Sequence, residues 1–377
     1  MSVIFPQIDP QGLIEYSVVY TDRSLNHMSK AFCQVMQDIS TTLKEVYQAD
    51  AAIVVPGSGT FAMEAVARQF ANDKKCLVIR NGWFSYRWSQ ILDTGSIPAE
   101  CTVMKARQIT NESQAPFAPA PIEQVVATIL EQQPDLVFAP HVETASGMML
   151  PDDYIRQVAD AVHQVGGMLV LDCIASGTVW VDMQASGVDI LISAPQKGWS
   201  GSPAFGLAML SPTALARIED TTSTSFACDL KKWMQIMNAY EQGGHAYHAT
   251  LPTDALNRFH QVMQETAEIG FEKLKHRQLE MGRKMREQLT QRGFNSVAAP
   301  GFEAPGVVVC YTDTADIHNG KRFVAQGVQI AAGVPLQCDE PEDYCTFRIG
   351  LFGLDKLLHV DRTVNTFIAT LDDVMQA

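Results

Sequence analysis

Short apolar runs alternate with helical stretches along most of this chain. That alternation predicts an α/β protein, with a large domain built on a mostly parallel sheet flanked by helices. A change of pattern near Pro252 predicts a smaller C-terminal α/β domain after it. Several apolar runs also end in polar residues, which is where open α/β sheets bind ligands.

Residues 1–25 read as an irregular arm rich in turn formers. Over residues 26–48, Met28, Phe32, Val35, Met36, Ile39, Leu43 and Val46 recur at helical spacing. Ala51–Val55 then reads as a strand, Phe61–Phe70 as a helix and Cys76–Ile79 as a strand. Leu136–Ala139, Leu169–Leu171, Ile190–Ile192 and Phe205–Leu210 read as further strands, with a helix over Tyr154–Val165. After Pro252, one long helix is expected over roughly Asp254–Gln291. Gly306–Cys310, Gln329–Ile330 and Thr346–Ile349 are then short strands, and Val360–Met375 is a terminal helix. The division expected is an arm (1–25), a large domain (26–268) and a small domain (269–377).

Composition narrows the function classes. The net charge of −14 opposes a nucleic-acid surface, which needs a basic footprint. No apolar stretch reaches membrane-spanning length, and the first seven residues lack the pattern of a secretory signal. The eight cysteines are scattered without a CxxC pair, as expected for reduced, mostly buried thiols in a cytoplasmic protein.

The strand ending at Leu171 delivers Asp172, and the run ending at Ile192 leads to Gln196-Lys197-Gly198. An acid and a lysine so placed suit a pyridoxal-phosphate enzyme. The lysine amine joins the cofactor aldehyde, and the acid keeps the pyridine nitrogen protonated. Taken alone, either residue is better explained as a surface lysine or a turn-forming aspartate.

Other segments offer the remaining parts. Gly57-Ser58-Gly59-Thr60 opens a helix after a strand, where small residues let amides approach a phosphate. The same run fits the dinucleotide pattern G-x-G-x-x-A, with Arg80 as a 2′-phosphate partner, or a plain helix cap. The first of these makes an NADP-dependent oxidoreductase the rival from another class. The aromatics from Trp83 to Trp88 include a ring that stacks on a planar cofactor, or form a core cluster. In His141–Gly147, Thr144 can hydrogen-bond the cofactor's phenolic oxygen, while His141 and Glu143 lack a third metal ligand nearby. Arg348 sits in an apolar strand and needs an anion, either a substrate carboxylate or an internal partner.

Taken in order, these segments resemble the class V (fold-type I) aminotransferases, and most closely the alanine–glyoxylate / serine–pyruvate group. The likeness runs from about Leu25 to about Leu371. It implies pyridoxal 5′-phosphate held by Ser58, Gly59, Thr60 and Gln196 at the phosphate. Phe84 replaces the family's usual tryptophan stacker, Ile174 packs on the ring, and Thr144 and Asp172 serve its polar atoms. Lys197 and Asp172 become the catalytic pair, and Arg348 the substrate-carboxylate clamp. Tyr247 and Thr250 match a Tyr-His-x-Thr loop that reaches the phosphate of the neighbouring subunit, which implies a homodimer. No metal is implied. The family's Gly-Pro-Gly start is replaced here by Asp9-Pro10-Gln11-Gly12. The expected reaction is ping-pong transamination between alanine or serine and glyoxylate or pyruvate. Aminotransfer from 2-aminoethylphosphonate or ureidoglycine is an alternative within the class, and so is desulfurase-like lysis using Cys338 or Cys345.

Overall fold

The computed structural model describes residues 7–376. The first six residues of the expected arm, with most of the segment scanned for a secretory signal, and Ala377 lie outside that range. Seven strands form the large sheet. They are β1 (Ala51–Pro56), β2 (Lys75–Arg80), β3 (Glu100–Lys105), β4 (Leu136–Pro140), β5 (Met168–Asp172), β6 (Ile190–Ser193) and β7 (Phe205–Leu210). Their order is β1-β7-β6-β5-β4-β2-β3, and β7 alone runs against the others. Strands β4 to β7 are buried at every position, as continuous Val/Ile/Leu runs require when helices cover both faces. Because the strands other than β7 run parallel, Pro56, Arg80, Pro140, Asp172 and Ser193 all reach the same edge of the sheet.

Three helices matter for that edge. They are α1 (Lys30–Tyr47), α2 (Gly59–Phe70) and α3 (Trp83–Gly95). The Ser29 hydroxyl accepts from the Phe32 amide and starts α1, whose apolar face (Phe32, Met36, Ile39, Leu43) is fully buried. Both β3 and α3 escaped the pattern reading. The first is a half-exposed edge strand, and the second mixes aromatics with polar residues.

The long helix expected over Asp254–Gln291 is two helices, α4 (Thr253–Ile269) and α5 (Phe271–Gln291). Gly270 separates them at φ +101°, a backbone state that side chains disfavour and that no continuous helix holds. A second sheet of three antiparallel strands follows, β8 (Val307–Tyr311), β9 (Ala331–Ala332) and β10 (Thr346–Gly350), in the order β8-β10-β9. The expected strand at Gln329–Ile330 therefore lies two residues further on, where only Ala331 and Ala332 pair with β10. The last helix, α6, spans Val360–Gln376.

Apolar burial falls into two main clusters. One surrounds the large sheet, and the other lies between α5, β8, β10 and α6. Among the described residues, no helix is long and apolar enough to cross a membrane. All eight cysteines are unpaired.

Candidate active site

Lys197 lies in the segment that follows β6, and its surroundings fix it tightly. The Trp199 indole donates to the Tyr47 hydroxyl at 3.2 Å, and that hydroxyl donates to Ser193 Oγ at 3.2 Å. One buried tyrosine at the end of α1 thus ties both ends of the Lys197 segment. A Cβ on Gly198 would sit 2.0 Å from the Gly177 carbonyl oxygen, so only glycine allows that packing.

Three cationic groups surround the Phe84 ring. Lys197 Nζ is 5.8 Å from its centroid, Arg348 Cζ 5.5 Å and Arg87 Cζ 5.3 Å. Lys197 Nζ is also 5.5 Å from the Phe352 ring. Burial pulls the Lys197 amine below its usual range, against the opposing charges of Asp172 and Glu143. Burial likewise pushes the Asp172 carboxyl up to about 6. Glu143 adds to that rise, while the Ile174 amide (2.9 Å to Asp172 Oδ1), Lys197 and Arg87 oppose it. Arg348 Nε donates to the Ala332 carbonyl at 2.7 Å, and among the described residues its other nitrogens make no ion pair.

At the start of α2, the Gly59 and Thr60 amides have no protein acceptor among the described residues, and the Ser58 hydroxyl makes no cap. A Cβ on Gly59 would meet Ile174 Cδ1 at 2.6 Å and Ala194 Cβ at 3.2 Å. The loop, Ile174 and the segment before Lys197 are therefore neighbours. Thr144 Oγ1 and Gln196 Oε1 are buried without partners. Tyr247 and Thr250 stand apart. They are hydrogen-bonded to each other at 3.0 Å on the surface, and no hydrogen bond or ring contact joins them to the group around Phe84.

Two residues that the sequence reading left without a part in the site now have one. Arg87 donates from Nη1 to Thr60 Oγ1 at 3.1 Å. Its signal was its position three residues after Phe84, on the same face of a helix that was not read. Glu143, fully buried, accepts from the amides of Phe84 (3.2 Å), Ser85 (2.8 Å) and Ala145 (2.9 Å) and from the Ser85 hydroxyl (2.7 Å). It caps the helix that carries Phe84, while His141 Nδ1 pairs with Ser176 Oγ at 2.7 Å. Neither is arranged as a metal ligand.

Two rivals lose their support. Arg80 is buried with Nη1 on the Gln337 carbonyl (3.1 Å), Nη2 on Ser89 Oγ (2.8 Å) and its plane over Tyr86. Its guanidinium is thus engaged within the protein and not presented at the start of α2. Burial pushes the Cys338 thiol up to about 12 and raises that of Cys345, which opposes a thiolate nucleophile in either place.

A half-buried lysine, a buried acid, free amides at a helix start and the orphaned Thr144 hydroxyl fit pyridoxal phosphate as a group. The architecture is that of the fold-type I pyridoxal-phosphate enzymes. It superposes on the alanine–glyoxylate aminotransferase of Nostoc sp. with a TM-score of 0.78, 20% identity and coverage of 93% of this chain and 88% of that one. The ureidoglycine–glyoxylate aminotransferase of Bacillus subtilis gives 0.78, with 18% identity over 96% and 88%. The model of the family "Aminotransferase class-V" matches residues 12–346, and the chain belongs to that family. It is an aminotransferase and depends on pyridoxal phosphate. Among curated relatives, 2-aminoethylphosphonate–pyruvate transaminase of Aeromonas hydrophila is 28% identical over 320 residues, covering 81% of this chain and 77% of the relative. Alanine–glyoxylate aminotransferase 1 of Saccharomyces cerevisiae is 26% identical over 266 residues, covering 66% of each.

Proposed function

We propose that this aminotransferase moves an amino group from a small amino acid, alanine or serine, to a 2-keto acid, glyoxylate or pyruvate. One observation carries the assignment of roles. Lys197, Arg348 and Phe84 come from distant parts of the chain, yet both cationic groups lie within 6 Å of one ring. In this reading Lys197 is the attachment point, Phe84 and Ile174 hold the ring, and Asp172 faces the pyridine nitrogen. Thr144 serves the ring oxygen. Ser58, Gly59, Thr60 and Gln196 hold the phosphate, joined by Tyr247 and Thr250 of a second subunit in a homodimer.

Pyridoxal phosphate supplies an electron sink for the charge that develops at substrate Cα. Arg348 grips the substrate carboxylate with the nitrogens that Ala332 leaves free. Lys197 Nζ, released from the aldehyde when the substrate amine takes its place, would then take the Cα proton. Its lowered affinity for protons keeps more of the amine neutral near pH 7, as a general base requires. Asp172 stabilises the protonated ring nitrogen from a site that excludes water.

The runner-up is 2-aminoethylphosphonate as donor. It is favoured by the Aeromonas relative.

A visible spectrum tests the reading. The cofactor band of the purified protein bleaches with L-alanine and returns with glyoxylate or pyruvate, and Lys197→Ala loses both changes. Bleaching by 2-aminoethylphosphonate but not by alanine or serine moves the assignment to the runner-up. Normal turnover by Lys197→Ala removes Lys197 from its role.

A further inference from the structure

The start of α2 has a shortage of charge. A phosphate monoester carries close to two negative charges near neutral pH. The groups assigned to it above are backbone amides, hydroxyls and the Gln196 amide, all of them neutral. A multiply charged anion in a half-dry pocket needs a cation as well as donors. Lys197 is assigned to the aldehyde, and Arg348 projects from β10 of the small sheet, where it is held by Ala332.

Arg87 remains. Among the described residues it is the one cationic side chain hydrogen-bonded to the loop that opens α2. It is half-buried, and among the described residues no carboxylate lies within ion-pair distance of it. Beyond the Nη1 bond to Thr60 and its place beside the Phe84 ring, its guanidinium makes no contact with a protein acceptor. The direction of that bond matters too. Because Arg87 donates to Thr60 Oγ1, the threonine's own hydroxyl proton is free to turn toward an anion.

We propose that Arg87 is a ligand of the cofactor phosphate, supplying the charge that the loop lacks and orienting the Thr60 hydroxyl toward the same group. The proposal rests on the assignment of Ser58–Thr60 as the phosphate loop.

The test compares two ligands that differ by that phosphate. Apo-protein is titrated with pyridoxal phosphate and with pyridoxal, and the cofactor absorbance band is read. Wild type, Arg87→Gln and Arg87→Lys are compared. Glutamine keeps a hydrogen-bond donor for Thr60 and removes the charge. Arg87→Gln is expected to weaken pyridoxal phosphate about 10- to 100-fold and pyridoxal by less than about 2-fold. Arg87→Lys should recover part of the loss. An equal loss for both ligands would make Arg87 a merely structural residue and overturn the proposal, as would no loss for either. If wild type gains no band with either ligand, the Lys197 assignment fails first and takes this one with it. If wild type responds and the variants do not discriminate, only the Arg87 proposal falls.

Discussion

Asp172 and Lys197 are both held away from water, and each carries the cost of its own charge. For Asp172 the sign of the pH effect follows directly. Its folded-state carboxyl titrates near 6, against 3.8 when unperturbed. Below 3.8 the group is protonated in both folded and unfolded chains and has no effect. Between these values the folded chain binds the proton more tightly, so stability falls as pH rises through about 6. Above that pH the ionised acid costs the apo-protein at most about 3 kcal/mol. Asp172→Asn keeps the acceptor for the Ile174 amide and removes the charge. Apo-Asp172→Asn should therefore melt higher than wild type at pH 8 and nearly equal to it at pH 4. A stabilisation independent of pH would contradict this account. On the proposed assignment, cofactor binding should suffer in the same variant, because the protonated ring nitrogen would lose its partner.

At the scale of elements, the placement of Phe84 depends on the N-terminus of α3, and that terminus depends on Glu143. A helix start leaves several amides without partners, and an anion is favoured there by the helix dipole. The Glu143 carboxylate takes the Phe84 and Ser85 amides, the Ser85 hydroxyl and the Ala145 amide. Gly82 makes room, since a Cβ there would sit 2.7 Å from Glu143 Cγ. Glu143→Ala strands three amides, two of them buried, and should cost about 3 to 5 kcal/mol in urea unfolding of the apo-protein. Glu143→Gln keeps the shape and an acceptor oxygen and should cost well under half of that. Equal losses for the two variants would mean that packing, not hydrogen bonding, anchors the helix.

At the scale of the molecule, several large apolar side chains are left exposed. Tyr247 and Phe226 are 55% and 76% exposed, and Leu13, Tyr16 and Val18 of the arm lie almost fully in solvent. Exposed apolar side chains that share a face mark an interaction surface. The homodimer proposed above would cover them and bring Tyr247 and Thr250 to the neighbour's phosphate loop. Sedimentation should give twice the chain mass of 41.4 kDa. Phe226→Asp should shift the equilibrium toward monomer and weaken cofactor binding with it. A wild-type monomer that binds cofactor tightly would remove Tyr247 and Thr250 from the phosphate site.

Much of this molecule is decided locally. Continuous apolar runs named the buried strands β4, β5, β6 and β7, because a strand covered on both faces has no polar positions to alternate with. Asp172, Lys197, Ser58–Thr60 and Arg348 were singled out from their places at or after strand ends or in a strand, and the roles proposed for them rest on the family resemblance. Mixed or half-exposed segments such as β3 and α3 carried no such signal, and with α3 unread, Arg87 had no face to share with Phe84. The break at Gly270 was hidden by apolar spacing that continues across it. Tertiary structure alone decided what depends on distance through space. Tyr47 locks Ser193 and Trp199 from some 150 residues away. A glutamate after β4 caps the helix after β2, and an arginine on β10 meets the ring on α3. Burial then sets the charges of Asp172 and Lys197, and no spacing in a chain encodes how much water a folded site excludes.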